Sequence, residues 1–478
     1  MTSQADIQAD SQGKGWEELL AAQQEKAQEV VLPAPLSPSQ ARALAALQAG
    51  KNVFLTGVAG TGKSFVLRRF IEEPGKHPVR GEKVVAVCAT TGIAALAIDG
   101  CTVHRWAGVG IGENTLEEIV IRPGWRDYVA TRIWRATTLI VDEISMASAK
   151  ILDLIDGVCR EARLGSSHLP FGGLQVVLVG DLGQLPPVDK ADRHRKGQSQ
   201  EPLFPFESGA WKALEAAGLT VCRLLEPQRQ HDAQFIGLLN RARLGVLSVD
   251  DERTLLARRI PHDPTRPPVF VVTTNAQAAE ANERGLESCD PLTERVYEAD
   301  IYTEHDGLVD QVVRDCPSPE FLRLRIGARV ICTHNNSDRY VNGSLGTVVE
   351  LEEFHILVLL DRPITENPIR VSKHTWKLTE RDAYGNKKVL AEMEQFPLKL
   401  SYALTVHRTQ GMTLDQVSLD LSRTFAPGQA YVALSRVRSL DGLYLTGWPG
   451  RRKVSMHPKV RAWCLKNEGM GGLMEGCV

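Results

Sequence analysis

Residues 52–73 read "NVFLTGVAGTGKSFVLRRFIEE" and place an apolar strand, a glycine-rich turn and an amphipathic helix in direct succession. The turn has the pattern G-x-x-x-x-G-K-S, which cradles phosphate groups when it joins a strand to a helix. Its glycines let backbone N–H groups curl around phosphate oxygens, and the helix N-terminus adds a favourable dipole. The stretch therefore predicts a phosphate-binding loop at 57–64.

Each residue of this loop is a candidate nucleotide contact. They are Gly57, Val58, Ala59, Gly60, Thr61, Gly62, Lys63 and Ser64. We expect the Lys63 ammonium to reach the β and γ phosphates and the Ser64 hydroxyl to bind Mg²⁺. The alternative is a chance match in a glycine-containing turn, and the strand and helix that flank the loop argue against it.

An acidic pair ends a second apolar strand, in "TTLIVDE". Asp142 is placed to hold Mg²⁺, and Glu143 is placed to polarise an attacking water. Solvated acids at a strand end are the alternative. The phosphate loop upstream favours the catalytic interpretation.

A glutamine follows a third apolar strand, in "LQVVLVGDLGQLPPV". Gln184 stands just before Pro186 and Pro187, which restrict the backbone and block regular structure. Ligands of parallel sheets bind beyond the carboxyl ends of the strands. We therefore expect Gln184 near the γ phosphate, although a glutamine can also cap a loop.

The wider pattern alternates short apolar strands with helices, which predicts an α/β fold with parallel sheets covered on both faces. A chain of 478 residues exceeds one typical core, so more than one domain is expected. Short strands joined by Gly, Asn and Pro turns read as a small inserted β-barrel. The predicted boundaries are an N-terminal arm at 1–35, a first lobe at 36–220, a second lobe at 221–324 and 396–466, the β-barrel at 325–395 and a C-terminal tail at 467–478.

Net charge, cysteine content and the length of apolar runs limit the kinds of site and compartment that this chain can have. The formal net charge is -2, so a nucleic-acid site would have to be a local groove. The nine cysteines include no C-x-x-C pair, which argues against a zinc site or disulfide framework and favours a reducing, intracellular compartment. No apolar run is long enough to span a bilayer, and we expect no membrane partner.

Two arginines are candidates for stabilising charge on a transferring phosphoryl group. Arg229 lies in "PQRQHDAQF" and Arg436 in "YVALSRV", both in the predicted second unit. An arginine brought across an interface makes hydrolysis depend on lobe closure. Surface salt bridges are the alternative for each arginine taken alone.

These motifs, in this order, resemble the Pif (petite integration frequency) family of superfamily-one DNA helicases, in the class that moves 5′ to 3′. The resemblance runs from about Leu36 to about Leu465. It is carried by "TTGIAALAIDGCTVHRWAGVG", "LIVDEISM", "PFGGLQVVLVGDLGQLPPV", "YVNGSLGTVVEL", "SYALTVHRTQGMTLDQV" and "AYVALSRV". It implies two RecA-like lobes of the P-loop NTPase class with ATP between them, and a wedge insertion at about 106–127.

The resemblance also assigns roles to residues. Gln40 matches the residue that reads adenine, Gln184 matches a γ-phosphate sensor, and Gly411 matches a glycine close to the nucleotide. Lys63, Asp142, Glu143, Arg229 and Arg436 match catalytic groups, and Ser64 and Asp142 match Mg²⁺ ligands. Segments that touch single-stranded DNA in the family contain Thr91, Gly92, Thr102, His104 and His407, and Asn342 lies in a β-barrel turn near the strand.

Some sequence details leave alternatives open. Trp106 and Trp125, near the expected wedge, could stack on bases or pack in the core. Leu182 and Gly183 stand where the family commonly has two bulky residues, which could change the stiffness of the loop before Gln184.

The implied activity is ATP-dependent, Mg²⁺-dependent unwinding of duplex DNA from single-stranded or forked substrates. The implied roles are in replication, repair, recombination and telomere or G-quadruplex processing, with RNA–DNA hybrids as a further substrate. We expect a monomer in the free state and, in a eukaryote, the nucleus rather than the mitochondrion. A RecD-like or relaxase-type motor and a non-motor ATP-binding scaffold are the alternatives; ATP turnover with and without single-stranded DNA separates these classes.

Overall fold

The computed structural model describes residues 35–468 with gaps at 73–75, 78–80, 99, 111, 113, 188–203, 231, 263–267, 304–305, 335, 337–339, 341, 362–366 and 382–386. The predicted N-terminal arm lies outside the described residues apart from Pro35. The predicted C-terminal tail lies outside them apart from Asn467 and Glu468. In the described part of the chain, no helix has the length and apolar character needed to cross a bilayer.

A six-stranded parallel sheet organises the first lobe. From edge to edge its strands are β5 (Cys101–Thr102), β4 (Val85–Ala89), β6 (Thr138–Asp142), β7 (Gln175–Val179), β1 (Val53–Gly57) and β8 (Thr220–Leu224). Strands β1, β6 and β7 are buried along their whole length, as apolar strands covered on both faces must be. Their carboxyl ends therefore deliver the phosphate loop, the acidic pair and the Gln184 loop to one edge.

Separate apolar cores cover the two faces of this sheet, one containing Phe54 and the other containing Val53 and Leu55. The helices of this half are α1 (Pro38–Gln48), α2 (Lys63–Glu72), α3 (Gly92–Ala97), α4 (Val103–Trp106), α5 (Leu116–Val120), α6 (Thr131–Arg135), α7 (Ala149–Ala162) and α8 (Gly209–Ala216). A short hairpin, β2 (Lys76–His77) with β3 (Gly81–Glu82), lies between α2 and β4.

A four-stranded parallel sheet organises the second lobe. Its order is β20 (Ala403–Thr405), β9 (Val269–Val272), β21 (Val417–Asp420) and β22 (Leu443–Gly447). The remaining helices of the chain are α9 (Ala233–Leu244), α10 (Val249–Leu256), α11 (Asn275–Glu287), α12 (Val309–Asp315), α13 (Gln429–Leu434) and α14 (Pro458–Asn467). Helix α13 is buried along its whole length, so its ends are held firmly.

Antiparallel strands form the inserted β region, which extends beyond the predicted limits of 325–395. A five-stranded sheet runs in the order β16 (Ile369–Val371), β15 (Ile356–Leu360), β14 (Leu345–Leu351), β13 (Arg329–Cys332) and β19 (Leu398–Leu400). Strand β10 (Arg295–Glu298) pairs with β12 (Phe321–Leu324) in a two-stranded sheet. In a three-stranded sheet, β18 (Lys387–Gln395) lies between β11 (Asp300–Thr303) and β17 (His374–Arg381). The predicted start at 325 was too late because β11, at 300–303, pairs with the distant strand β18, and the hairpin of β10 and β12 also precedes 325.

Two further predicted boundaries of the lobes need correction. Most of β8 was assigned to the second lobe, but this strand pairs in register with β1 and forms the edge of the first sheet. The C-terminal helix α14 was also assigned to the second lobe. Its Trp463 ring lies 5.5 Å from Phe54 and 5.6 Å from Trp211, measured between centroids, so α14 packs in the first core. Neither contact has a local sequence signal, because each depends on a partner distant in the chain.

The predicted wedge insertion contains α5, capped by a reciprocal Thr115–Glu118 capping box, and a π-helical turn at Trp125–Ala130. Trp106 and Trp125 are 7% and 6% exposed and belong to the first core. The core interpretation is therefore correct for both tryptophans, and neither is free to stack on bases in this conformation.

The aromatic packing under α14 generates a stability prediction. Trp211 is fully buried against Phe54 and Trp463, so Trp211→Ala should lower the free energy of unfolding by about 3–5 kcal/mol. Trp134 is 66% exposed, and Trp134→Ala should change it by no more than about 0.5 kcal/mol. Chemical denaturation of both variants measures the difference. Equal losses would show that α14 does not pack on this face in solution.

Candidate active site

The phosphate loop joins β1 to α2 in a conformation that favours glycine at two positions. Gly60 and Gly62 have φ angles of 83° and 84°, in the left-handed region. A Cβ added at Gly60 would lie 2.6 Å from the Cβ of Arg229, and one added at Gly62 would lie 2.5 Å from Nε2 of Gln40. The loop is therefore packed closely against the segments that carry Arg229 and Gln40.

The two predicted nucleotide contacts outside the loop both lie beside it. Gln40 is buried on α1, and its Nε2 donates a hydrogen bond to the carbonyl of Thr61 at 3.0 Å. Gly411 lines the same cleft as the loop, and its carbonyl accepts a 3.4 Å hydrogen bond from Nη2 of Arg229. Both positions are compatible with the predicted contacts to a nucleotide.

Lys63 is held by the loop that it would serve. Its Nζ donates to the carbonyl of Gly57 at 2.9 Å and to that of Val58 at 3.2 Å. Burial lowers the pKa of Lys63, while the nearby acids Asp181, Glu143 and Asp142 act to raise it. The side chain is thus an enclosed cation, and a phosphate that entered the loop would offer it an anionic partner.

The acidic pair lies at the carboxyl end of β6, as predicted. Oδ1 of Asp142 accepts the backbone N–H of Glu143 at 2.8 Å, and Glu143 adopts a left-handed φ of 53°. Burial, reinforced by the neighbouring Glu143, raises the pKa of Asp142 to about 7. Burial also raises the pKa of Glu143, against the opposing effect of Lys63 and Arg436. Left-handed backbone at a non-glycine residue stores strain of the kind found at functional sites.

The residues predicted to bind Mg²⁺ fit that ion. Ser64 and Asp142 offer oxygen atoms only, which are the ligands that Mg²⁺ prefers. A divalent cation would also stabilise the ionised form of Asp142, which burial opposes. The oxygen ligands and the electrostatics of Asp142 are therefore both compatible with bound Mg²⁺.

Gln184 lies on the loop that follows β7 and faces the same cleft. Its Oε1 accepts a 3.4 Å hydrogen bond from Nε2 of Gln410 in the second lobe. A Cβ at the preceding Gly183 would lie 2.8 Å from Cγ of Arg243 and 2.8 Å from Cε of Met456. The small residue at 183 therefore lets the Arg243 side chain pass, which explains this departure from the family pattern.

The two arginines reach the cleft from different places. Arg436 follows α13 in the second lobe, is 1% exposed, and its Nε donates to the carbonyl of Val432 at 2.8 Å. Arg229, predicted in the second lobe, lies on the connection between β8, the edge strand of the first sheet, and α9, whose apolar side chains pack in the core of the second lobe. Its Nη1 donates to the carbonyl of Ser435 at 3.0 Å, which joins the two lobes. Burial, together with Arg436, lowers the pKa of Arg229 to about 9.

One cleft of about 400 Å³ brings these groups together. It is lined by residues of the phosphate loop, by the acid at the end of β6, by the glutamine and by both arginines. Among the residues lining it are Gly60, Lys63, Ser64, Glu143, Gln184, Arg229, Gly411 and Arg436. The arrangement places cations, a potential base and hydrogen-bond donors around the phosphate loop, between two parallel sheets.

Comparison with known proteins agrees with this geometry. A family profile described as PIF1-like helicase matches residues 36–253. The chain is 37% identical over 436 residues to the ATP-dependent DNA helicase Pif1 of Bdellovibrio bacteriovorus, covering 91% of this chain and 93% of that one. The chain belongs to the PIF1-like helicase family.

Other members show how far the likeness extends. The chain is 36% identical to human ATP-dependent DNA helicase PIF1 over 85% of its own length, and it spans 60% of that longer protein. Pif1 of a Bacteroides species in complex with ADP-AlF4 is 30% identical, with a TM-score of 0.77 over 92% of this chain and 98% of that one. Bacteroides Pif1 bound to ssDNA is 31% identical, with a TM-score of 0.63 over 92% and 98% of the two chains.

The DNA contacts predicted from the PIF1-like family lie on separate parts of the chain, outside the residues lining the cleft. Thr91, Gly92, Thr102 and His104 follow the carboxyl ends of β4 and β5, and His407 follows that of β20. Burial lowers the pKa of both His104 and His407, which favours neutral imidazoles at pH 7. Asn342 is exposed in the turn before β14.

The structure adds residues that sequence reasoning missed. Asp181 and Tyr431 contact each other at 2.9 Å, and Arg243 donates to Asp181 at 2.7 Å. Asp181 had a usable signal, since it is an acid just past the carboxyl end of a parallel strand. Tyr431 lies five residues before Arg436 in a stretch typical of PIF1-like helicases, but nothing local indicates what its hydroxyl contacts.

The contact between α13 and the Gln184 loop generates a prediction. Gly428 has a φ of 78°, and a Cβ there would lie 2.3 Å from the carbonyl oxygen of Gln184. Gly218, in the exposed turn after α8, has a φ of 91°, and a Cβ there would meet nothing within 4 Å. Both alanine variants incur left-handed backbone strain of about 1–2 kcal/mol. The free energy of unfolding should fall further only in Gly428→Ala, because only there does the added Cβ meet a carbonyl oxygen.

The measurement is the free energy of unfolding of Gly428→Ala, with Gly218→Ala as the matched control. We expect a larger loss for Gly428→Ala together with weaker ATP turnover, because the Gln184 backbone must move. Equal losses and equal turnover in the two variants would mean that the close approach is absent in solution.

Proposed function

We propose that this chain is an ATP-dependent DNA helicase that translocates 5′ to 3′ on single-stranded DNA and unwinds duplex ahead of it. The observation that carries the proposal is the convergence of Lys63, Glu143 and Gln184 with Arg229 and Arg436 on one cleft between two parallel sheets. The named activity of the Bdellovibrio relative, which the chain matches along nearly its full length, supports it. The direction of movement rests on the family resemblance alone.

In the proposed reaction, the phosphate loop binds the nucleotide and Lys63 neutralises the β and γ phosphates. Glu143 accepts a proton from the attacking water, a role that suits a carboxylate whose pKa burial has raised. Ser64 and Asp142 would hold Mg²⁺, which supplies neutralising charge to the phosphates when bound. Gln184, on the neighbouring loop of the same sheet edge, orients the water or detects the γ phosphate.

Charge that develops on the transferred group is stabilised by Arg229 and Arg436. Both guanidinium groups now donate to backbone carbonyls, so closure around a nucleotide would redirect donors to phosphate oxygens. The Bacteroides Pif1 complex with ADP-AlF4 supports nucleotide binding by this fold. Hydrolysis and release would then reopen the lobes and shift them along the strand.

DNA would follow the carboxyl edges of the two sheets. Thr91 and Thr102 offer hydroxyl groups to backbone phosphates on the first lobe, and His104 and His407 offer neutral rings. Contacts of this kind need few cations, which is compatible with the net charge of -2. The ssDNA complex of Bacteroides Pif1 supports the proposal.

Finer aspects of the function are inferred from the resemblance. We propose forked DNA as the principal substrate and G-quadruplexes and RNA–DNA hybrids as further ones. We also propose a monomer in the free state, an intracellular location and a role in genome maintenance. Unwinding rates of forked DNA, G-quadruplexes and RNA–DNA hybrids, measured with one preparation, test this choice of substrates.

Replacing Glu143 tests the catalytic assignment. Glu143→Gln keeps the size of the side chain but cannot accept a proton, so ATP turnover should fall by about 10²–10⁴-fold while nucleotide affinity is retained. The matched control is Glu161→Gln, on the exposed end of α7, which should leave both unchanged. A parallel collapse of nucleotide affinity would assign Glu143 a structural role instead.

Duplexes that carry one single-stranded tail, either 5′ or 3′, test the direction of movement. We expect efficient strand separation from a 5′ tail and little from a 3′ tail, with equal binding to the two tails as the control. Equal or faster unwinding from the 3′ tail would contradict the proposed polarity without affecting the ATP site.

A further inference from the structure

A fully buried ionic cluster lies behind the phosphate loop. Nε of Arg243 donates to Oδ1 of Asp181 at 2.7 Å, and Nη2 of Arg243 lies 3.1 Å from Oε2 of Glu468. The side chains of Arg243, Asp181 and Glu468 are 1%, 0% and 0% exposed. Burial alone would raise the pKa of Asp181, but Arg243 and Lys63 hold it below its usual value. Asp181 is therefore a fixed carboxylate.

Tyr431 joins this cluster to the phosphate loop. Its hydroxyl donates to Oδ2 of Asp181 at 2.9 Å and accepts the backbone N–H of Ala59 at 2.9 Å. Burial, with Asp181 next, raises the pKa of Tyr431, so the hydroxyl keeps the proton that it donates. One hydroxyl thus connects helix α13 of the second lobe to two loops of the first.

The same helix carries Arg436 just beyond its end. The carbonyl of Tyr431 accepts the N–H of Ser435 at 2.9 Å, and the carbonyl of Val432 accepts Nε of Arg436 at 2.8 Å. The guanidinium is therefore fixed to the turn that begins at Tyr431. A displacement of this turn would move Arg436 relative to the cleft.

The other end of α13 is also in close contact with the first lobe. Gly428, just before the helix, approaches the carbonyl oxygens of Gly183 and Gln184 so closely that a Cβ would lie 2.7 and 2.3 Å from them. This backbone packing limits how α13 can approach the loop, but it carries no directional bond. Directional contacts come from the Tyr431 hydroxyl within the helix and, just beyond its C-terminal end, from Arg229 and Gln230, which both donate to the carbonyl of Ser435.

We infer that Tyr431 is a positioning residue for ATP hydrolysis: its hydroxyl sets the place of Arg436 relative to the phosphate loop through Ala59 and Asp181. The inference rests on the proposed function, since it assigns Arg436 to the transition state. Arg243, which Glu468 holds in place, and Lys63 keep Asp181 charged, and the bond from Arg243 orients Asp181 to receive the hydroxyl. Tyr431 itself does not touch the reacting atoms.

Removing the hydroxyl isolates this role. Tyr431→Phe preserves the ring and its packing but breaks both hydrogen bonds, so kcat for ATP in saturating single-stranded DNA should fall about tenfold. The KM for ATP should stay within about threefold, because the phosphate loop loses the bond at Ala59 but keeps the contacts of Lys63 with Gly57 and of Gln40 with Thr61. Single-stranded DNA affinity should not change.

The matched control is Tyr297→Phe in the inserted β region. Tyr297 is 8% exposed, and its hydroxyl donates to the carbonyl of Glu352 at 2.8 Å, so this variant also deletes a buried hydroxyl. We expect its kcat to equal that of the parent. A failure of Tyr431→Phe to fold, or a similar fall of kcat in both variants, would assign Tyr431 to stability and overturn the inference.

A double-mutant cycle with Arg436→Lys decides whether Tyr431 acts through Arg436. Lysine lacks the planar fork, so Arg436→Lys alone should lower kcat strongly while leaving measurable turnover. In that background Tyr431→Phe should change kcat by less than about twofold, because its target is already impaired. A full tenfold loss in the Arg436→Lys background would contradict the inference while leaving the proposed role of Arg436 intact. Unchanged turnover in Arg436→Lys alone would instead remove the proposed role of Arg436, and the inference with it.

Discussion

Lys63 is an enclosed cation, and the architecture of the cleft follows from the need to stabilise it. Three carboxylates, Asp181, Glu143 and Asp142, act on the ammonium from the ends of two neighbouring strands. Burying charges without partners is strongly destabilising, so their positions are tightly constrained. Because the acids and the lysine leave the sheet at one edge, a phosphate arriving at that edge meets a site whose charges are already oriented.

The second lobe supplies part of the lining of the nucleotide site. Arg436 and Gly411 come from connections between strands of the second sheet, whereas Arg229 bridges the lobes by donating to the carbonyl of Ser435. The C-terminal helix α14 returns to the first core and brings Glu468 to Arg243. The nucleotide site therefore lies where several chain crossings between the lobes converge, and a change at the phosphates can alter how the lobes meet.

Local patterns predicted the parts of the site that short stretches encode. The loop at 57–64, the acids after β6 and Gln184 after β7 each follow an apolar strand, and all three lie at the predicted edge. The edge position of β8 and the packing of α14 were not predictable, because they depend on partners distant in sequence. The contact between Ala59 and Tyr431 spans 372 positions, so no local pattern could indicate it.

ATP can drive strand separation at this site only if the Lys63 ammonium holds the nucleotide phosphates. Lys63→Ala tests this dependence when it is compared with the parent in ATP turnover, unwinding of a 5′-tailed fork and binding of single-stranded DNA. We expect turnover and unwinding to be lost and DNA binding to be largely retained, since the DNA candidates lie outside the cleft. ATP hydrolysis near the parental rate in Lys63→Ala would show that this loop is not the catalytic phosphate site.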